Sequence, residues 1–220
     1  MSFPASWPAP DIKALYHLAD VNDSSGNGYT LTNNGSLPFS VGKFGNCGGE
    51  FAASKYLKVV SPLGINPSTD AYSLGAWISI TGQPASGAKN CVMSLEKASN
   101  RGAHIFYIND SGTYKLIVSY ANEEATLSYT KTLDLSTWYY IIFTGSAAGA
   151  GKLYLNGSLV ATGSRSTNTG PPADAFTIGG GWYTEAKYWY GYIDEVAVWN
   201  VELTAQQVRR LYAFQRGMLI

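Results

Sequence analysis

The sequence predicts an all-β protein with two antiparallel sheets packed as a sandwich and one short C-terminal helix. Three observations support this class. Short segments rich in aromatic and β-branched residues recur along the chain at hairpin spacing. Gly contributes 24 of the 220 residues and Tyr 16, whereas charged residues make up only 14%, a composition typical of turn-rich β proteins. The hydrophobic content of 45% is sufficient for one large core.

The chain divides into an N-terminal arm, residues 1–12, and one domain, residues 13–220. The arm contains several prolines and two large aromatic residues, so it is either a docking arm for a neighbouring subunit or a disordered tail. Strands are predicted, in chain order, at 13–18, 29–33, around 51, and at 56–60, 72–80, 91–96, 103–108, 115–120, 125–129, 139–144, 153–155, 159–160, 176–179 and 188–199.

Two local motifs fix the turn and the helix of the C-terminal half. Asn156-Gly157 separates two short apolar segments, and this pair tolerates the positive φ angles of a type I′ hairpin turn. Thr204 and Gln207 have the spacing of a capping box at a helix N-terminus. Val208 and Leu211 would then face the sandwich.

The strand at 188–199 is the element around which the rest of the domain is expected to pack. Alternation places Asp194 on the same face as Val196 and Val198, and Glu195 on the opposite, outward face. The two valines must face the core, so Asp194 is expected to be buried. A buried carboxylate needs backbone N–H groups or a cation as partners.

The same strand carries a family resemblance. The run Y-G-Y-I-D-E-V-A-V-W, residues 190–199, resembles the C-terminal signature of laminin-G-like domains of the concanavalin A-like superfamily. Segments 14–28, 42–59 and 138–160 resemble the other blocks of that family, in the expected order. The resemblance implies a jelly-roll sandwich whose functions include glycan binding, protein adhesion and accessory roles beside enzymes. It therefore specifies the fold more than the function.

The resemblance also implies a structural calcium ion at the rim of the sandwich. Ca²⁺ requires hard oxygen ligands, and the matching family blocks would bring together Asp194, Asp23, Asn27 and Glu50. Asp194 and Asp23 also have possible roles that need no calcium ion. Asp194 would accept backbone N–H bonds, and Asp23 would shape an Asx-turn.

An aromatic cluster follows three consecutive glycines, residues 179–181, which give the backbone freedom to present side chains outward. We expect the ligand-binding residues to be Trp182, Tyr183, Glu185, Tyr188 and Trp189. Flat aromatic rings suit the C–H-rich faces of sugars, with Glu185 and Lys187 available for the hydroxyl groups. Contact with a protein partner and plain packing within the sandwich remain open alternatives.

Catalysis is not expected. Glycoside hydrolysis needs two carboxylates at the scissile bond, and the Glu-x-Asp-x-x-Glu run usual in hydrolases of this fold is absent. The adjacent acids Glu123-Glu124 and Asp194-Glu195 would point to opposite faces of a strand. His17 and His104 are isolated in the sequence.

Charge and targeting signals limit the partners. Lys and Arg total 15 and balance 15 Asp and Glu, so net charge does not favour nucleic acid. No apolar stretch approaches the roughly 20 residues of a membrane span. The N-terminus lacks the features of a secretory signal peptide, whereas the family mostly works outside cells. A phage virion would reconcile the two, and a chain shortened at its N-terminus would do so equally well. Cys47 and Cys91 are either two buried thiols or one disulfide.

Together these features predict a non-catalytic surface recognition or adhesion module. Its expected setting is an extracellular assembly such as a phage virion, where it would serve as a structural or decoration protein. The alternative is a free, lectin-like carbohydrate-binding protein. Its partner would be a glycan or a protein surface, with neighbouring copies contacted through the arm.

Overall fold

The computed structural model describes residues 11–61, 63–96, 102–120, 124–164, 173–180 and 187–215. The arm falls mostly outside these ranges, and its role stays a prediction. The strands are β1 (Ile12–Tyr16), β2 (Thr32–Asn34), β3 (Phe39–Val41), β4 (Asn46–Phe51), β5 (Tyr56–Val59), β6 (Tyr72–Ile80), β7 (Lys89–Glu96), β8 (Ala103–Asp110), β9 (Thr113–Tyr120), β10 (Glu124–Thr130), β11 (Tyr139–Gly145), β12 (Ala150–Leu155), β13 (Ser158–Ser164), β14 (Ala175–Ile178) and β15 (Gly191–Trp199). The helix is α1 (Ala205–Gln215).

The strands form two antiparallel sheets, which confirms the predicted sandwich. The first sheet has the order β13-β12-β11-β6-β15-β4-β3, with β1 also paired to β15. The second sheet has the order β10-β9-β8-β7-β14-β5-β2. The main core lies between them and includes Ile78 and Phe143 from the first sheet and Ile105 and Phe176 from the second. Burying these side chains is the main favourable contribution to folding.

Helix α1 covers the outer face of the first sheet. The capping box is formed as predicted: Gln207 Oε1 accepts the N–H of Thr204 at 2.8 Å, and the N–H of Gln207 donates to Thr204 Oγ1 at 3.3 Å. Val208 and Leu211 are fully buried against a second apolar cluster that contains Trp77. No helix within the described ranges has the length and apolar character needed to cross a lipid bilayer.

The hairpin predicted at Asn156-Gly157 joins β12 to β13. Both residues have positive φ angles, 51° and 80°, and Leu155 pairs with Ser158 across the turn. This is the left-handed geometry that Asn and Gly tolerate best. The turn therefore fixes the register of the β12–β13 hairpin.

Strand β15 contains a bulge that the alternation rule did not anticipate. Its register against β6 shifts between Asp194 and Ala197, and Glu195 has a φ of +50°. One extra residue reverses the alternation at that point. Consequently Ile193, not Asp194, shares the core face with Val196 and Val198. The predicted face of Asp194 is wrong, although its predicted burial is confirmed.

Candidate functional site

A cavity of about 640 Å³ lies at one end of the sandwich. The loop that leads from β6 to β7 forms one wall, and Lys187 and Tyr190, just before β15, form the other. The volume falls within the range of roughly 300–1,000 Å³ typical of small-molecule sites. Its lining comprises Thr81, Gly82, Gln83, Pro84, Ala85, Gly87, Ala88, Lys89, Asn90, Lys187 and Tyr190.

The loop wall is held in one conformation by side-chain hydrogen bonds. Gln83 Nε2 donates to the carbonyl of Leu133 at 2.7 Å, and Gln83 Oε1 accepts from the Tyr107 hydroxyl at 2.7 Å. Asn109 Nδ2 donates to the carbonyl of Pro84 at 2.9 Å. A loop fixed by β8 and by the 131–135 segment needs little ordering when a ligand binds. The cavity is therefore preformed.

The second wall is attached to both ends of the loop by backbone hydrogen bonds. The N–H of Thr81 donates to the carbonyl of Tyr190 at 3.2 Å, and the N–H of Cys91 donates to the carbonyl of Lys187 at 3.0 Å. These bonds hold the lysine and tyrosine side by side along the cavity.

One buried polar group in the lining has no partner within the described structure. Asn90 is only 3% exposed, and its Nδ2 forms no hydrogen bond. An unsatisfied buried donor costs about 1–3 kcal/mol, so such groups usually have a role outside folding or bind water. Asn90 is among the lining residues, but its Nδ2 is shielded from solvent, so this donor is enclosed in the wall rather than open to the cavity.

The remaining polar and aromatic groups define the character of the cavity. Lys89 and Lys187 both line it, and no Asp or Glu is among its described lining residues. The ammonium of Lys187 lies 5.9 Å from the centroid of the Phe106 ring, within cation–π range. Tyr190 is 41% exposed, so its ring is available at the mouth of the cavity.

The predicted aromatic cluster is only partly described. Trp182, Tyr183 and Glu185 lie outside the described residues, and their predicted roles stay predictions. Tyr188 is half-buried, with its ring centroid 6.2 Å from that of Tyr56 in a stacked arrangement.

The outward placement of Trp189 is wrong. This side chain is fully buried in the core between the sheets, and the backbone N–H of Trp189 donates to the carbonyl of Gly179 at 2.9 Å. Gly179 has a φ of +74°, and a Cβ there would overlap the ring of Phe51. The glycine thus permits close packing beside the core.

The predicted calcium ligands have protein partners or are exposed. Both oxygens of Asp23 accept hydrogen bonds: Oδ1 from the N–H groups of Leu15 and Ser25, and Oδ2 from the Ser25 hydroxyl and the N–H of Tyr29. Asn27 donates its amide to backbone carbonyls of β1. Glu50 is exposed. No group of three or more His, Cys, Asp or Glu in the described ranges is placed to hold a metal, and a calcium ion at this rim stays a prediction.

Asp194 accepts backbone N–H bonds, which is the alternative role predicted for it. Its Oδ2 accepts the N–H groups of Lys43 at 2.9 Å and Phe44 at 3.1 Å, while Oδ1 is buried without a partner in the described structure. Burial raises the pKa of this carboxyl from 3.8 to about 6, against the lowering effect of the backbone donors. The carboxylate therefore anchors the turn after β3.

Glu195 and His17 form a pair that was not predicted. Glu195 was expected to face outward and His17 to be isolated, but Glu195 is 7% exposed and lies 2.8 Å from His17 Nδ1. This hydrogen bond is the largest influence on the histidine and raises its pKa. The bulge at Glu195 turns the side chain toward β1, so both corrections have one cause.

A second buried histidine resembles part of a catalytic triad but has the wrong geometry. His104 Nδ1 lies 2.5 Å from Ser94 Oγ, and the same nitrogen is 4.0 Å from Glu96 Oε1. A nucleophilic triad uses one ring nitrogen for the serine and the other for the acid. All three residues are also fully or almost fully buried. This cluster therefore gives no evidence for a serine nucleophile.

Comparisons with known proteins identify the family to which the fold belongs. A family model described as the concanavalin A-like lectin/glucanases superfamily matches residues 51–209. No curated protein sequence matches this chain.

Three solved structures illustrate the likeness. One is domain 4 of AbnA, an extracellular GH43 arabinanase from Geobacillus stearothermophilus, solved in complex with arabinotriose. It is 20% identical in sequence to this chain, with a TM-score of 0.66, and the match covers 92% of this chain and 98% of that one. The binding domain of botulinum neurotoxin DC was solved with rat synaptotagmin II (15% identity, TM-score 0.73) and with SialylT (15% identity, TM-score 0.71). Each match covers 94% of this chain and 52% of the neurotoxin chain, so this chain spans about half of that domain.

Proposed function

This chain belongs to the concanavalin A-like lectin/glucanases superfamily, and we propose that it is a non-catalytic recognition module that binds its ligand in the cavity between the 81–90 loop and Tyr190. The observation that carries the proposal is the preformed cavity, whose loop wall is held by Gln83 and Asn109 and whose mouth carries the exposed ring of Tyr190. A preformed concave site with a few polar groups and an accessible aromatic ring is the usual form of a ligand-binding site.

The chemistry of the lining supports binding over hydrolysis. Glycosidases require an acid and a second carboxylate on either side of the scissile bond, and the described lining contains neither Asp nor Glu. The protein should therefore release no reducing ends from a broad panel of polysaccharides. Sustained turnover that disappears when a single Asp or Glu is changed would contradict this.

A glycan suits the cavity better than a flat protein surface does. The site is concave and small, with a few polar groups and one exposed aromatic ring at its mouth, which is the usual composition of a small-ligand site. Domains of the same fold have been solved with an oligosaccharide and with a protein receptor, so the fold itself accommodates either class.

A second role concerns assembly, and a different observation favours it. Val41, on edge strand β3, is 83% exposed, and an exposed apolar residue on an edge strand is suited to contact with another chain. We propose that the module decorates a larger extracellular assembly, such as a phage virion, through this edge. The pairing of β3 with β4 and of β4 with β15 places Val41 at the edge of the first sheet, level with the middle of β15 rather than with its cavity end at Gly191.

Two variants separate the roles. Tyr190→Ala should weaken glycan binding on an array and in calorimetry by at least about 1–2 kcal/mol, with stability changed by less than about 1 kcal/mol. Val41→Ser should leave glycan binding intact and reduce self-association measured by native mass. Full glycan binding by Tyr190→Ala would exclude the cavity as the site, and unchanged association of Val41→Ser would exclude the edge contact.

A further inference from the structure

Two tyrosines on either side of Trp189 lie outside the core. Trp189 is fully buried between the sheets, whereas Tyr190 is 41% exposed and Tyr188 is half-buried. The backbone here is fixed, because the carbonyls of Lys187 and Tyr190 and the N–H of Trp189 all form hydrogen bonds. Residues two apart in a chain have Cα atoms no more than about 7 Å apart. Tyr188 and Tyr190 are therefore held close together, and solvent reaches both.

Tyr188 forms a ring pair with Tyr56, the first residue of β5. The two ring centroids are 6.2 Å apart, and the ring planes meet at 29°. Both side chains are half-buried, and in the described structure neither packs against the apolar clusters of the core. The core rings of Trp189 and Phe176, in contrast, are fully buried. The pair therefore has apolar surface that packing within the sandwich does not use.

A glycine allows the two rings of the pair to approach. A Cβ on Gly180 would lie 2.8 Å from Tyr56 Cβ and 3.3 Å from Tyr188 Cδ1. Both distances are shorter than the roughly 3.5–4.0 Å of an ordinary contact between carbon atoms, so a side chain at this position would displace at least one ring. Substituting Gly180 therefore perturbs the pair without removing either ring.

A single sugar and a longer glycan would use these rings differently. One sugar residue seated at Tyr190 leaves the Tyr56–Tyr188 pair without a partner. A chain of sugars can place one ring on Tyr190 and another on the pair, because one short segment carries both surfaces. Apolar surface beside a ligand site is the usual mark of a further contact with the same partner.

We infer that the recognition surface continues from the cavity along residues 188–190 to the Tyr56–Tyr188 pair, and that the ligand is an oligosaccharide chain rather than a single sugar. The inference rests on the proposed glycan-binding function and names its ligand class. One sugar ring packs on Tyr190 at the mouth of the cavity, and another ring of the same chain packs on the pair.

The experiment measures how affinity depends on the length of the ligand. Ladders of one to six sugar residues, built from glucose, xylose, mannose, galactose or uronic acid, would be titrated by calorimetry. Affinity should rise about 5–30-fold between the monosaccharide and the oligosaccharide that first reaches the pair, the range expected for one well-placed aromatic contact. Beyond that length the affinity should change little.

Variants assign the gain in affinity to the pair. Tyr188→Ala and Tyr56→Ala should each lower the affinity for the longer oligosaccharides about 5–30-fold, to nearly that of the monosaccharide. Gly180→Ala should act in the same direction with both rings still present. Tyr190→Ala should weaken the binding of ligands of every length.

Tyr129→Ala is the matched control. It removes the same half-buried side chain from β10, and four strands separate β10 from β5 in the second sheet. This control should keep the full dependence on length. Thermal unfolding would show that each variant is folded. Because Tyr56 and Tyr188 lie on different segments, either variant tests the pair if the other does not fold.

The outcomes separate the inference from the proposed function. Equal affinity for all lengths, with Tyr190→Ala still weakening binding, would overturn the inference and leave the proposed function standing. A length dependence that survives both Tyr188→Ala and Tyr56→Ala would do the same. Absence of binding to every ladder would overturn both the inference and the glycan-binding function.

Discussion

Trp189 and Tyr190 are consecutive in the chain but occupy opposite environments. Trp189 is fully buried between the sheets, whereas Tyr190 is partly exposed at the cavity. Replacing each by alanine should therefore separate folding from binding: Trp189→Ala should affect stability, and Tyr190→Ala should affect ligand affinity.

The expected changes in stability follow from how deeply each ring is buried. Truncation of a buried large aromatic costs about 3–5 kcal/mol, a large fraction of the roughly 5–15 kcal/mol that separates folded from unfolded protein. For a chain of this length, about 1 kcal/mol corresponds to a Tm change of roughly 2–4 °C, so Trp189→Ala should lower Tm by roughly 6–20 °C. Tyr190→Ala should change stability by less than about 1 kcal/mol and weaken binding by at least about 1–2 kcal/mol.

A milder variant keeps the test informative if Trp189→Ala does not fold. The buried Nε1 of Trp189 has no hydrogen-bond partner in the described structure, so Trp189→Phe loses volume but also removes an unsatisfied donor. Its net cost should stay below about 2 kcal/mol. Urea unfolding and calorimetry on all three variants provide the measurement. A Trp189→Ala protein with unchanged stability and lost binding would show that this ring belongs to the recognition surface.

Three further predictions concern the core and rim. Asp194→Ala should destabilise the fold by about 1–3 kcal/mol for each backbone N–H it leaves buried and unpaired. Glu195→Ala should destabilise it by less, because His17, its half-buried partner, can bond to water instead. Equal urea midpoints for the two variants would contradict this. Gly179→Ala should lower the free energy of unfolding by more than about 2 kcal/mol, since a Cβ there overlaps a core ring. Gly28→Ala is the control: its φ is a similar +78°, but no atom lies within 4 Å of the added Cβ. It should lower the free energy of unfolding by only about 1 kcal/mol, from backbone strain. The free energy of unfolding should also fall as pH rises, because the folded state holds protons that the unfolded chain has already lost. Asp194 retains such a proton between about pH 4 and 6, and His17, whose pKa is raised by its bond to Glu195, retains one above about pH 6.5. Urea midpoints at pH 5 and pH 8 would show the fall, and Asp194→Asn should flatten the part of the stability–pH curve below about pH 6.

The sandwich itself was predictable because its strands carry their own signal. Alternation and β-propensity located β6, β11 and the β12–β13 hairpin, and the capping box located α1. The prediction missed β3 and most of β4, since the run N-C-G-G-E-F has no alternating apolar pattern. Strand β4 pairs with β3 and β15, so its extended form depends on neighbours that are distant in sequence.

The orientation of the acids in β15 could not be obtained from periodicity. A regular strand would place Asp194 with Val196 and expose Glu195. The left-handed conformation at Glu195 inserts one residue and reverses that order. Non-glycine residues adopt such a conformation only where the surroundings compensate for its strain. Here the compensation comes from His17, which directly follows β1 and lies 178 residues earlier, and no local pattern identifies it.

The cavity has a topological origin. Strand β6 belongs to the first sheet and β7 to the second, so residues 81–88 must cross between the sheets; the chain returns from β14 in the second sheet to β15 in the first. Strand β6 pairs with β15 and β7 pairs with β14, and Ile80 lies opposite Gly191. Strand order therefore brings residues 81–88 and 187–190 to the same end of the sandwich. Because residues 81–88 must span the gap between the sheets, they face Lys187 and Tyr190 across space that core residues do not fill.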